Sequence, residues 1–496
     1  MGKVQTRALI AIGVMLSAWS QPALADKVLR MANDLSMGGK ESMDPLSPNR
    51  FWEVNDLLYN RLLRLDEKGT VVAELADSWS PNADATEWTF KLHSGVKFHD
   101  GRPFGAADVK YSLERINDPK LESPVTSVLG MIDHVEVIDP LTVKVVLKTK
   151  HAGLPVLLTD YRVRMIPDGS GDSIAKTGIG TGPFKMKDYD PEGLTTLVAN
   201  PDYWEGAPKL DGIEFTAIPD SDARAQALLA GKIDFSRVAR EQLPLFAGNA
   251  KYTVSEFPSG GWFGIAFRTD TKPFTDPRVR KAVRIAANRE EMVKLLTGEG
   301  HAIVTCDNPV KANDPYRADI TCPQDIPAAK KLLAEAGYPN GLDIDLHTSN
   351  VETGMARFAE VYQQQVAGAG IRVKIVMDPA DGYWDNVWRK ETAVVTSWDE
   401  RPADQILNEA YRADSSWNES YFSNPDFEAL LDKARATLDF NQSKQAMIEA
   451  QKMLFEVGGT FIPYQENIRF VYNKSFTGIT PMIEDEIRWE KVDKAD

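Results

Sequence analysis

Chemistry in a chain of this length would most often rest on histidines, cysteines, paired acids or glycine-rich turns. The six histidines stand at 93, 99, 134, 151, 301 and 347. None falls in an HExxH or HxxxH spacing that would set two imidazoles on one helix face around zinc. Gly178-Ile-Gly-Thr-Gly182 is glycine-rich, but Pro183 and Phe184 follow where a phosphate-binding helix must begin. No GxSxG or GxxxxGK[ST] run occurs. Asp399 and Glu400 are adjacent carboxylates, yet a chain with 72 acidic residues produces such neighbours by chance. General acid-base work needs a cleft that holds their protonation states apart. The expectation is a protein with no catalytic residue, no metal ligand and no cofactor.

The densest chemistry of another kind runs from Tyr383 to Tyr421, where Trp384, Trp388, Trp398 and Trp417 cluster. Ala393-Val-Val-Thr-Ser-Trp398 reads as a buried strand that empties into the polar loop Asp399-Glu-Arg-Pro-Ala-Asp404. Such a loop suits a zwitterion. Asp399 would accept hydrogen bonds from an ammonium or from hydroxyls, and Arg401 would grip a carboxylate or phosphate through its planar fork. The alternative is that Asp399 and Arg401 pair with each other and order the loop. Trp398 at the strand end is placed against the ligand. Trp417 and Asn418 sit in a loop, where aromatic residues tend to bind. Trp384 and Trp388, one helical turn apart, share a face that is either core or cleft. Ser397 and Trp262 complete the candidate ligand-binding set.

The elements that must position these residues alternate between strands and helices. Strands are expected at Val28–Ala32, Trp88–Leu92, Val135–Val137, Thr142–Leu147, Leu194–Ala199, Gly212–Ile218 and Gly264–Phe267. Asp139-Pro140 reads as a hairpin turn. Ser221-Asp222, Asp276-Pro277 and Pro327 open helices that stop at Gly231, Asn288 and Gly337. Phe427–Leu438 and Ser443–Phe455 form two amphipathic helices. The class is mixed α/β with several domains.

Charge and compartment narrow the function further. The formal net charge of −15 argues against nucleic acid and anionic lipid as partners. Lys3 and Arg7, the apolar stretch Ala8 to Trp19 and Ala23-Leu-Ala25 form a secretory leader, cut after Ala25 to leave Asp26 first. No cysteine stands there to take a lipid. Cys306 and Cys322, the only two cysteines, read as a disulfide in an oxidising compartment.

Several blocks, in order, resemble a known family. They include Ala73-Glu-Leu-Ala-Asp-Ser-Trp79, Gly95-Val-Lys-Phe-His-Asp-Gly-Arg-Pro-Phe104 and Ala107-Asp-Val-Lys-Tyr-Ser112. Gly180-Thr-Gly-Pro-Phe184, Asn200-Pro-Asp-Tyr-Trp204, Pro273 to Ala282 and Ala329 to Gly337 continue the series. Together they resemble the family 5 extracellular solute-binding proteins of ABC importers, the dipeptide, oligopeptide and nickel group. The resemblance implies a two-lobed α/β fold of the periplasmic binding protein-like type II class, with an additional domain inserted in the first lobe. Lobe I is then expected at 26–59, 178–267 and 466–496, the inserted domain at 60–177, and lobe II at 268–465. Crossings between lobes are expected near Phe267 and Pro463 to Phe470. Glycines 95 and 101 and the aromatics Trp79, Trp88, Phe90 and Phe98 are scaffold in this reading.

The implied function is the periplasmic binding component of an ABC transporter, closing on a small polar solute and delivering it to permease subunits. The protein is expected to act as a monomer, without nucleic acid. In peptide-binding relatives the equivalent strand ends in Gly-Trp, and a later aspartate holds the ligand's amino group. Here Ser397-Trp398 replaces that pair and Asp399 comes earlier, which points to a peptide-like or opine-like conjugate. The rivals are a secreted hydrolase and a chaperone-like binder on the same fold.

Overall fold

Large apolar side chains at Trp88, Phe90 and Leu92 alternate with polar ones, and that period of two builds a strand with one dry face. The computed structural model describes residues 27–33, 41–47, 51–66, 69–121, 123, 125–218, 220–238, 240–352, 354–379, 382–480 and 487–495. The expected leader, with its cleavage after Ala25, falls outside the described residues. Glu87–Leu92 is an inner strand of a four-stranded antiparallel sheet, in the order Ala76–Pro81, Glu87–Leu92, Thr142–Leu147, Ile132–Asp139. Trp88 lies opposite Val145 and Phe90 opposite Val143, all four buried. The turn at Asp139-Pro140 joins the last pair. Helix Ala106–Glu114 packs Val109 and Leu113 into the same core.

A second sheet of eight strands surrounds the N-terminal strand Val28–Asn33. That strand runs parallel to Gly212–Ala217 and to Phe235–Arg237. Tyr464–Asn473 pairs antiparallel with Phe235–Arg237 on one side and with Tyr252–Pro258 on the other. The Gly180-Thr-Gly-Pro run lies against the end of helix Trp52–Leu58. A Cβ at Gly180 would sit 2.0 Å from the Leu58 carbonyl oxygen, and one at Gly182 would sit 2.4 Å from that of Leu57. These glycines serve close packing of backbone on backbone, which accounts for a glycine-rich motif without a phosphate.

The third sheet has the order Ile371–Met377, Leu342–Thr348, Ala393–Trp398, Trp262–Phe267, Thr460–Phe461. Helices Pro277–Ile285, Ile326–Glu335 and Met355–Val366 belong to its layer. Asp276 and Asp325 cap the first two by accepting from the Arg278 and Ala328 amides. The two late helices are Pro425–Arg435 and Phe440–Val457.

Strand leads directly into strand between the second and third sheets at two places. One is residues 259–261, between Tyr252–Pro258 and Trp262–Phe267. The other is Ile462-Pro463, between Thr460–Phe461 and Tyr464–Asn473. The crossing expected near Phe267 therefore meets a different pairing: Trp262–Phe267 lies between Ala393–Trp398 and Thr460–Phe461. An apolar strand buried on both faces reads alike in either sheet; the punctuation that locates the passage is Pro258-Ser-Gly-Gly261. Cys306 and Cys322 form a disulfide.

Candidate functional site

Strand Ala393–Trp398 is central in its sheet, and its register with Trp262–Phe267 sets Trp398 opposite Trp262. The two indoles stack with centroids 6.2 Å apart. From Trp398 the aromatic contacts continue edge-to-face to Trp417 at 5.6 Å, then Trp388 at 6.3 Å, then Trp384 at 6.2 Å. Five tryptophans thus form one continuous wall. Glu419 lies buried behind it and accepts hydrogen bonds from Trp388 Nε1 at 2.6 Å, Thr396 Oγ1 at 2.6 Å and Trp398 Nε1 at 3.0 Å. Burial raises the Glu419 pKa, against the pull of these three donors.

The wall borders a cavity of about 720 Å³ between the second and third sheets, a size that suits a small solute. Trp398, Asp399, Ser397, Arg401, Trp417, Trp384 and Trp262 all line it. Asn418 does not. Its Nδ2 donates to the carbonyls of Phe422 at 2.7 Å and Arg412 at 3.2 Å, and its Oδ1 accepts from the Phe422 amide at 3.1 Å. It holds the loop that carries Trp417, because an amide side chain buried among free backbone groups satisfies them first.

Asp399 and Arg401 differ in their surroundings. Asp399 is exposed to the cavity and makes no ion pair or hydrogen bond among the described residues. Arg401 is buried; its Nη1 donates to the Glu400 carbonyl at 2.9 Å and its Nε lies 3.6 Å from Glu409. Its guanidinium stands 5.7 Å from the Tyr161 ring centroid. Burial works against the Arg401 charge, but Tyr161, Glu409 and Asp399 more than offset it and lift its pKa further. The carboxylate that pairs with Arg401 is therefore Glu409 rather than Asp399.

Sequence reasoning passed over several lining residues. Glu352 accepts a 2.6 Å hydrogen bond from Ser397 Oγ, and burial, with Asp399 nearby, raises its pKa. From the opposite side come Arg237, Arg469 and Glu466. Arg469 pairs with Glu256 at 3.2 Å. Burial also raises the Glu466 pKa. One side of the cavity thus offers Asp399 and Glu352 beside an indole wall, with Arg401 already engaged by Glu409, and the other offers Arg237 and Arg469 together with the Glu466 carboxyl. Among the described residues no group of three or more His, Cys, Asp or Glu is arranged to hold a metal ion, and no helix is long and apolar enough to cross a membrane.

A family model described as bacterial extracellular solute-binding proteins, family 5 Middle, matches residues 70–418. A curated relative, the glutathione-binding protein GsiB of Pectobacterium atrosepticum, is 29% identical, with 99% of this chain and 98% of that protein covered. Among solved structures, MoaA of A. tumefaciens R10 in complex with mannopinic acid is 25% identical, with a TM-score of 0.79 and coverage of 95% of this chain and 100% of that one. NikZ of Campylobacter jejuni in complex with Ni(L-His) has a TM-score of 0.82 at 21% identity, with coverage of 95% and 100%.

Proposed function

This chain belongs to the bacterial extracellular solute-binding proteins of family 5, and from that premise we propose that it captures a small zwitterionic solute, peptide-like or opine-like, by closing its two lobes. Proteins of this family bind a small solute and deliver it to the permease of an ABC transporter. The observation that carries the finer reading is the polarity of the cavity. Asp399, which makes no hydrogen bond or ion pair among the described residues, stands beside an indole wall on one lobe, and Arg237 and Arg469 face it from the other. A ligand ammonium would meet Asp399 and Glu352, with its apolar stem against Trp398 and Trp417. A carboxylate would meet the opposite guanidinium groups. The names of the relatives lend support, since glutathione and mannopinic acid both carry amine nitrogen and carboxylate.

The same reading includes export with cleavage after Ala25, a monomeric mature chain, and lobes that divide at residues 259–261 and 462–463. Thermal shift against dipeptides, glutathione, opines and neutral oligosaccharides tests it. A solute at ~100 times its dissociation constant adds about 2.7 kcal/mol of stability. A clear upward shift with one zwitterionic class is expected. A shift with neutral sugars alone would overturn the reading.

A further inference from the structure

Between Asp399 and Arg401, which both line the cavity, stands Glu400, whose side chain turns away from it into the frame. Glu400 is 8% exposed. Its Oε2 accepts a 2.8 Å hydrogen bond from the Gly260 amide, in the first passage between lobes. Its Oε1 is paired with Lys311 Nζ, also buried. The approach is so close that a Cβ on Gly260 would lie 2.9 Å from Glu400 Cγ and 3.2 Å from Lys311 Cβ. Only glycine leaves room for this carboxylate.

Lys311 belongs to the loop closed by Cys306 and Cys322, and that loop holds the second passage. The Ile462 amide donates to Asp307 Oδ1 at 3.0 Å, and the Asp307 amide donates to the Ile462 carbonyl at 2.9 Å. The Thr305 amide donates to the Pro463 carbonyl at 3.1 Å. Asp307 is itself fixed by Arg284 and Arg289 at 3.3 and 2.7 Å. The first passage also touches the strand that follows the second, through the Glu466 amide and the Gly261 carbonyl at 3.0 Å. One carboxylate therefore contacts the first passage directly, reaches the second through the disulfide loop, and is covalently continuous with the residues facing the cavity. Lobe closure concentrates its backbone rotation in such passages.

We propose that Glu400 is a positioning residue for lobe closure, the joint that keeps the cavity loop and both passages in one arrangement. The proposal rests on the cavity being the solute site. Removing one partner of a buried ion pair strands the other charge, so Glu400→Ala would report mainly on folding. Glu400→Gln, Lys311→Met and the double variant separate the roles. Hydrogen–deuterium exchange and thermal melting are read on the solute-free mature chain. Each single variant is expected to exchange at least tenfold faster at 259–262 and 462–466, with the sheet strands unchanged. The double variant, which leaves no unpaired charge, should recover the melting temperature but keep the fast exchange. Restoration of both in the double variant would overturn the proposal, since Glu400 would then merely neutralise Lys311. So would wild-type exchange at the passages in the single variants. No solute enters this experiment, so failure of the thermal-shift screen would count against the solute reading alone.

Discussion

Asp399 and Arg401 are two residues apart, and the structure gives them opposite tasks. Arg401 is committed to Glu409 and the Glu400 carbonyl, so its removal would take one of two guanidinium groups from a buried carboxylate and cost stability. Asp399 makes no hydrogen bond or ion pair among the described residues. Asp399→Ala should therefore leave the solute-free melting temperature nearly unchanged and weaken solute binding more than tenfold, as expected for a charge-assisted hydrogen bond worth about 1.5–3 kcal/mol. Tryptophan fluorescence titration would read the change, because the indole wall lies alongside. Equal affinity in wild type and variant would remove Asp399 from the site. Much of this wall was legible from the unbroken apolar run into Trp398 and from the density of tryptophan after Tyr383. Glu352 was not. It meets Ser397 only because strand Leu342–Thr348 lies beside Ala393–Trp398, and that adjacency comes from tertiary folding. Asn418 bonds its own loop backbone instead of lining the cavity, and a loop amide has the same sequence signature in either case.

At the scale of elements, amphipathic period and caps identified strands and helices well, while sheet membership stayed hidden. Trp262–Phe267 shows the limit: its composition fits a buried strand of any sheet. The glycine-rich run shows a motif whose meaning comes from its partners. His99, in the tight turn bracketed by Gly95 and Gly101, donates from Nε2 to the Gly182 carbonyl at 3.1 Å and accepts the Gly180 amide at Nδ1 at 3.2 Å. That geometry requires a neutral ring. Burial, the largest influence, brings its pKa down to about 4. The unfolded chain takes up this proton near pH 6.5, so the unfolded state gains protons first as pH falls. Stability from this contact is complete above pH ~6.5 and lost on descent toward pH ~4, by up to about 3 kcal/mol, less where solvent screens the ring's exposed edge. His99→Gln, which keeps one donor and one acceptor, should flatten the fall in melting temperature between pH 7 and pH 5. An identical slope in the variant would show that other groups carry the acid sensitivity.

At the scale of the whole molecule, the domain built on the four-stranded sheet reaches helix Ala403–Tyr411 through charge. Asp160 and Arg162, next to that domain's core, form a bidentate pair. Facing them on helix Ala403–Tyr411 are Gln405, whose Nε2 donates to Asp160 at 3.0 Å and to Glu409 at 3.2 Å, and Glu409, 3.5 Å from Arg162. Arg401 faces the same cluster. His151 and Arg435 meet at Asp404 one turn away. Burial pushes the Asp160 carboxyl up, but Arg162 more than offsets this and holds it below the ordinary carboxylate range. Its contribution is therefore present above pH ~4 and is lost only as pH falls through the lower folded value. Arg162→Met reverses that sign. Asp160 would then be buried without its paired guanidinium, with only the charge of Arg401, already engaged by Glu409, to oppose burial, and its folded pKa would rise above the unfolded one. Such a group loses stability as pH rises. The variant should melt lower than wild type at pH 7, in keeping with a cost of about 3–5 kcal/mol for breaking a buried pair. The deficit should shrink as pH falls to 5 and Asp160 takes up a proton. Small-angle scattering at pH 7 should show a larger radius, because repulsion between two carboxylates separates the inserted domain from the second lobe. A deficit that stays constant from pH 7 to pH 5 would mean that Arg162 supports the interface by packing, and that charge does not hold these domains together.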